Sequence, residues 1–390
     1  MNTRRLFLIP VLALLPLLLL IPAPAATADG CPAPCSGQSS SPTNTKLLYV
    51  QPQGAGGEVL AYDTRTGRLT LAFPPGTSSA DGRWHLVSRM TRKANTQLIR
   101  FDLRDGRMVS VASVPGRWTI GGVSPTGRWA ALVASAGSRT RIAIVSAARG
   151  TVVHRANLTG RFEVETISRD GKRLFLIEHL RDGHYLVRLY DLTKRRLQTQ
   201  ALKASGEGAP MVGLAWSGVA SPNGRWLLTL YLNTRHNHAF VHALNLEEAA
   251  PVCIDLPSGR GRMAALKRYT LTLSPNGRLL FAANPALGVV AAIDLQTLRV
   301  ARTARFEPSQ FGRPTRQLTA GTISRNGRTL YFSAGEGLWA YDAAYGRVRG
   351  PYPTGGPIVG FGYGARDQTI HALRKDGRML TFDAATGRRR

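Results

Sequence analysis

The chain has 390 residues and is 43% hydrophobic, enough to bury a sizeable core in one large domain or two small ones. Its 51 Lys and Arg against 23 Asp and Glu leave a formal charge of +28, which favours anionic partners but says nothing about fold. The 41 Gly and 23 Pro follow no collagen period, which excludes a fibrous chain and points to many turns.

The first element is a targeting segment. Arg4 and Arg5 precede an apolar run, Leu6 to Pro22, that Pro10 and Pro16 interrupt. Ala26-Thr27-Ala28 then places small residues at cleavage positions, so a Sec-type signal peptide over 1–28 is expected. The expectation is a secreted or cell-envelope protein with no membrane span after cleavage. An uncleaved anchor is the alternative, opposed by the prolines and the short run. Lipidation at Cys31 is opposed by Asp29 and by distance from the apolar run. Cleavage removes Arg4 and Arg5 and lowers the charge by two.

Residues 29–45 are rich in Ser, Gly, Pro and Thr and are expected to form a disordered linker. Cys31 and Cys35 lie in it, and an oxidising compartment permits a short-loop disulfide between them. Cys253 sits in a strand-like Val252-Cys253-Ile254 and is expected to be a buried thiol. These spacings do not make a zinc site.

From Lys46 onward one pattern recurs. Its first marker is a Ser-x-x-Gly-Arg turn followed by an apolar strand. It occurs at Ser79–Arg83, Ser124–Arg128, Ser168–Lys172, Ser221–Arg225, Ser274–Arg278 and Ser324–Arg328, with a degenerate copy near Ala365–Gln368. Pro sets φ at the second position of several copies, Asp or Asn tolerates the third, and Gly accepts a positive φ. The second marker is a strand ending in a polar turn at positions 63, 102, 146, 191, 245, 294, 342 and 383. Asp holds six of these, and Ser146 and Asn245 the other two, all able to bond the backbone two residues on.

Short apolar runs between the markers, such as Trp129–Val133 and Leu279–Ala283, have strand length and turn flanks. The second marker recurs every 39 to 54 residues, the period of a four-stranded propeller blade. The fold is therefore expected to be all-β: a β-propeller over 46–390 with seven or eight four-stranded blades. The strands of each blade are called A to D from the axis outward. The chain opens on B, C and D (Leu47–Val50, Val59–Asp63, Leu69–Phe73) and ends on A, B and C. Eight polar turns suggest eight blades, two of them imperfect. Seven, with an N-terminal strand completing the last sheet, is the other arrangement.

Ile293-Asp294-Leu295-Gln296-Thr297-Leu298-Arg299-Val300, with the Ser-x-x-Gly turn, resembles the bacterial YVTN/WD40-like propeller repeat. The resemblance covers nearly all of 46–390. It implies architecture and leaves function open, because such propellers include enzymes, binders and scaffolds.

The A strands line the axis and are the first place to look for chemistry. Most are apolar or small, as in Thr119–Val123, Thr270–Leu273 and Ile358–Gly362. Arg161-Phe162-Glu163-Val164-Glu165 is acidic, and strand alternation puts Glu163 and Glu165 on one face. They could bind Ca²⁺ or transfer protons, but no other A strand supplies a similar pair. A solvated strand entry balanced by Arg161 is the expectation.

His236, His238 and His242 form the one histidine cluster, and their parity would suit a transition metal. Their place in a B-to-C hairpin beside Arg235 favours a polar hairpin with one half-buried histidine. Trp84, Trp129 and Trp226 repeat at one blade position and are expected to pack between blades. No nucleophile elbow, phosphate loop or His-Glu-x-x-His motif is present.

Quinoprotein dehydrogenase propellers resemble this chain at Asp63–Arg68 and Asp383–Arg388, but the Trp they place three residues later is missing. Lactonase-like propellers gather axial acidic and amide ligands, which these A strands lack. The expectation is thus a non-catalytic, monomeric binding or scaffold protein with no cofactor, no metal and no catalytic residue. Its partner would be a protein or an anionic cell-envelope polymer, export arguing against nucleic acid. The alternative is a propeller enzyme, lactonase-like or quinoprotein-like, with an unrecognised axial site.

Overall fold

The computed structural model describes residues 46–50, 58–181, 184–203, 211–257, 262–309, 319–334, 336–364 and 368–390. The expected signal peptide, the linker with Cys31 and Cys35, and Ala365–Asp367 of the degenerate turn lie outside the described residues. Every sheet is antiparallel and follows chain order from A to D. One short helix, Met263–Leu266, interrupts the pattern. No helix among the described residues is long and apolar enough to cross a membrane.

There are eight blades: 47–73, 77–115, 119–159, 161–197, 214–255, 270–305, 319–352 and 358–383. Six contain four strands, and the first and last contain three among the described residues. A bridge from Phe382 to Arg389 begins a fourth strand in blade 8. The first and last strand sets form separate sheets, so the seven-bladed arrangement is corrected. The ring closes by apolar packing. Leu48, Val50 and Tyr62 of blade 1 cluster with Val359 and Leu373 of blade 8. A methyl group on Gly360 would come within 2.5 Å of Val50.

Local chemistry explains why each repeat turns where it does. In the A-to-B turn the serine hydroxyl accepts the backbone N–H five residues on, as in Trp84 to Ser79 (3.0 Å) and Trp226 to Ser221 (2.8 Å). The turn glycine donates back to the serine carbonyl, as Gly224 does to Ser221 (2.8 Å). In the C-to-D turn, Asp63 Oδ1 accepts from Arg65 (3.0 Å) and Thr66 (2.7 Å). Asn245 does the same for Glu247 (3.0 Å) and Glu248 (3.1 Å). A further bond, such as Leu246 N–H to Arg225 carbonyl at 2.8 Å, ties the two turns together. Both turn sets therefore share one face of the ring.

The tryptophans pack between blades. Trp84 and Trp226 are buried in inter-blade clusters, and Trp129 is partly buried in another. Gly171 of blade 4, at φ +73°, leaves room for Trp129 of blade 3, and a Cβ there would stand 2.5 Å from the indole. The glycine in the turn thus serves both the backbone and the packing between blades.

Candidate active site

Blades 4 and 5 meet differently from the others. Among the described residues, each of the other blade boundaries is filled by one apolar cluster. The boundary between blades 4 and 5 has two. Phe175, Leu189, Leu227, Leu244 and Leu246 form one, and Ile177, Tyr185, Val187, Tyr231 and Phe240 the other. Cross-strand register explains the break. Leu227 pairs with Leu244, Thr229 with His242, and Tyr231 with Phe240. These pairs occupy one face at period two, so Thr229 and His242 form a polar rung between two apolar ones. Cys253 extends that rung opposite His242.

Glu165 meets this rung from blade 4. It lies on the A strand Arg161–Ile167, where Val164 pairs with Leu176 and Thr166 with Phe175. Glu165 is the extra residue of a β-bulge, a device that re-aims a side chain. Its side chain is 7% exposed, and His242 is fully buried. Glu165 Oε1 stands 4.0 Å from His242 Nδ1, beyond hydrogen-bond reach. Glu165 Oε2 and both ring nitrogens of His242 have no hydrogen-bond partner. A buried polar group costs stability unless it is bonded, so three unpartnered atoms at one boundary call for an explanation.

Burial decides the charge of both groups. It pushes the Glu165 carboxyl up to about 8, with a smaller push from Glu163. It pulls the His242 imidazole down to about 4. The ordinary order is inverted, and at neutral pH the acid keeps its proton while the base stays neutral. Tyr231 completes the surroundings. Its ring meets His242 edge-on at 5.8 Å and stacks on Tyr185 at 5.4 Å. Its hydroxyl is held well above the usual tyrosine range by burial, then by Tyr185 and Glu165.

Two expectations are corrected here. Glu163 and Glu165 do not form a solvated pair balanced by Arg161. Glu163 Oε2 instead meets His179 Nε2 at 3.1 Å, with its side chain 25% exposed, while Glu165 is buried. The three histidines do not converge. His238 pairs with Asp255 at 3.2 Å and stacks on Phe240, and His236 lies exposed in the hairpin turn. His242 is fully rather than half buried. Among the described residues no group of three or more His, Cys, Asp or Glu side chains could hold a metal ion. The alternation Phe240, His242, Leu244 was a legible hint that His242 points inward. No sequence signal reveals the bulge at Glu165.

No protein-family profile matches the chain. No curated protein matches it either. Among solved structures it is similar to Kuenenia stuttgartiensis hydrazine synthase, at 15% identity and a TM-score of 0.43, covering 91% of this chain and 96% of that one. It is also similar to dihydro-heme d1 dehydrogenase NirN, at 19% identity and a TM-score of 0.47, covering 81% of this chain. There the match spans 65% of the other chain, less than two thirds. Such likeness concerns fold alone and transfers no substrate or cofactor. This chain itself holds a buried carboxyl–imidazole pair of the kind acid–base catalysis uses. The expectation of a non-catalytic scaffold is corrected accordingly.

Proposed function

We propose that this chain is a propeller hydrolase using general acid–base catalysis, with Glu165 as the acid and His242 as the base. One observation carries the proposal. A carboxyl in an axial β-bulge and an imidazole from the next blade face each other at 4.0 Å, buried, with unpartnered atoms. Groups whose environments push their pKa values apart in this way are suited to opposite roles. Protonated Glu165 donates to a leaving or carbonyl oxygen. Neutral His242 accepts a proton from water. The pair is neutral overall and lies between apolar clusters, which suits an uncharged ester or lactone at the reacting centre.

The test is turnover of a panel of chromogenic esters and lactones between pH 3 and pH 9. Activity is expected on a plateau between about 4 and 8, bounded by His242 and Glu165. Glu165→Gln and His242→Gln should each lower kcat/KM by about 10²- to 10⁴-fold. Full activity in Glu165→Gln, or no turnover of any panel member by the wild type, refutes the assignment.

We also propose that the protein is exported to the cell envelope or medium, on the strength of the Arg4–Ala28 segment, and acts as a monomer. The two turn markers support placing it with the bacterial YVTN/WD40-like repeats. Intact mass of the recovered protein, beginning at or near Asp29, would test export.

A further inference from the structure

At the turn face of the ring, three consecutive A-to-B turns converge at the mouth of the axis. A Cβ on Gly224 of blade 5 would lie 3.2 Å from the Cβ of Arg169 in blade 4 and 3.3 Å from that of Pro125 in blade 3. Between these turns opens a cleft of about 490 Å³ lined by Arg128, Arg169, Arg173 and Thr126. We infer that this cleft is a binding site for a small polyanion, one carrying carboxylate or phosphate groups. The inference is independent of the Glu165–His242 proposal.

Arg169 and Arg173 are held in place by backbone carbonyls. Arg169 Nη1 donates to the Asn223 carbonyl at 3.2 Å. Arg173 Nη1 donates to the carbonyls of Leu246, at 3.2 Å, and Glu247. Arg128 is exposed. None of the three forms an ion pair among the described residues. Two carboxylates, Asp170 and Glu247, also line the cleft and offset part of its charge, leaving the three arginines in excess. Asp170 accepts from the Ser168 hydroxyl (2.6 Å) and the Lys172 N–H (3.0 Å), and Glu247 faces Arg225 at 3.8 Å.

The Thr126 hydroxyl is buried and has no hydrogen-bond partner, which leaves a neutral donor at the same cleft. Guanidinium groups present planar donor forks that match oxyanions, and carbonyl contacts at one edge restrict their motion. The volume suits a small molecule. The sequence reason lies in blade 4. Its turn reads Ser168-Arg169-Asp170-Gly171-Lys172-Arg173, where blades 3, 5 and 6 carry Pro125, Pro222 and Pro275 in the position of Arg169.

Isothermal titration at low ionic strength with inorganic phosphate and with citrate tests the site. One saturable site per chain is expected, with citrate the tighter. Arg128→Gln and Arg169→Gln should each raise Kd about tenfold, the loss of one charge-assisted contact. Arg139→Gln, an exposed arginine in the B-to-C hairpin on the opposite face, removes the same charge and should change Kd less than about twofold. No saturable binding in the millimolar range overturns the inference. An equal loss in Arg139→Gln does so too, since it would mean a diffuse field. Glu165→Gln should bind both anions as the wild type does, so the two proposals fail or stand separately.

Discussion

Replacing Glu165 by Gln should stabilise the protein at neutral and alkaline pH and leave it unchanged in mild acid. The carboxyl has a folded-state pKa of about 8 against 4.5 when unperturbed. Below pH 4.5 both folded and unfolded chains hold the proton, and the burial has no pH-linked cost. Between 4.5 and 8 the unfolded chain releases it and the folded chain does not, so stability falls as pH rises. Above 8 the folded form ionises as well, and the penalty levels off. At about 1.4 kcal/mol per unit, the cost is roughly 3 kcal/mol at pH 7 and approaches 5 kcal/mol above pH 8. Gln keeps the shape and neutrality of the protonated carboxyl and ionises in neither state. Tyr231 and His242, which face Glu165, are present in both proteins and largely cancel in the difference. Thermal melts at pH 4.5, 7 and 8 read this directly. At about 2 °C per kcal/mol for a domain this large, the variant should melt about 6 °C higher at pH 7. A variant that melts at or below the wild-type temperature at pH 8, or a difference independent of pH, would refute a buried protonated Glu165.

The remaining expectations use the same structure. His242, whose pKa is lowered from 6.5 to about 4, makes the fold lose roughly 3 kcal/mol as pH falls through that window. His242→Leu should abolish that loss, seen as a flatter urea midpoint against pH. Gly171→Ala combines a positive φ with a clash against Trp129 and should cost about 3 kcal/mol by urea denaturation. Leu48→Ala at the apolar closure between blades 1 and 8 should cost about 2–5 kcal/mol, whereas a closure that carries no stability would leave the midpoint unchanged.

The blades were legible from the sequence because what makes them is local. Six A-to-B turns are closed by a serine and a glycine within six residues, and seven of the eight C-to-D turns by an Asp or Asn accepting from the backbone two residues on, Ser146 holding the eighth. Those contacts need no distant partner, so residue order alone carries them, and with them the strands and the common turn face. The tryptophan packing was legible for a related reason: a repeat places the same side chain at the same boundary each time.

What tertiary structure decided is whatever depends on two distant segments meeting. Eight blades rather than seven follows because the first and last strand sets form separate sheets that meet through side-chain packing of Leu48, Val50 and Val359 instead of sharing one sheet. The Arg169 cleft needs three turns to converge. Glu165 and His242 are far apart in the chain, and a one-residue bulge, invisible in strand alternation, aims the carboxyl at the next blade. Their charge states follow from burial, which exists only once blades 4 and 5 have closed over them.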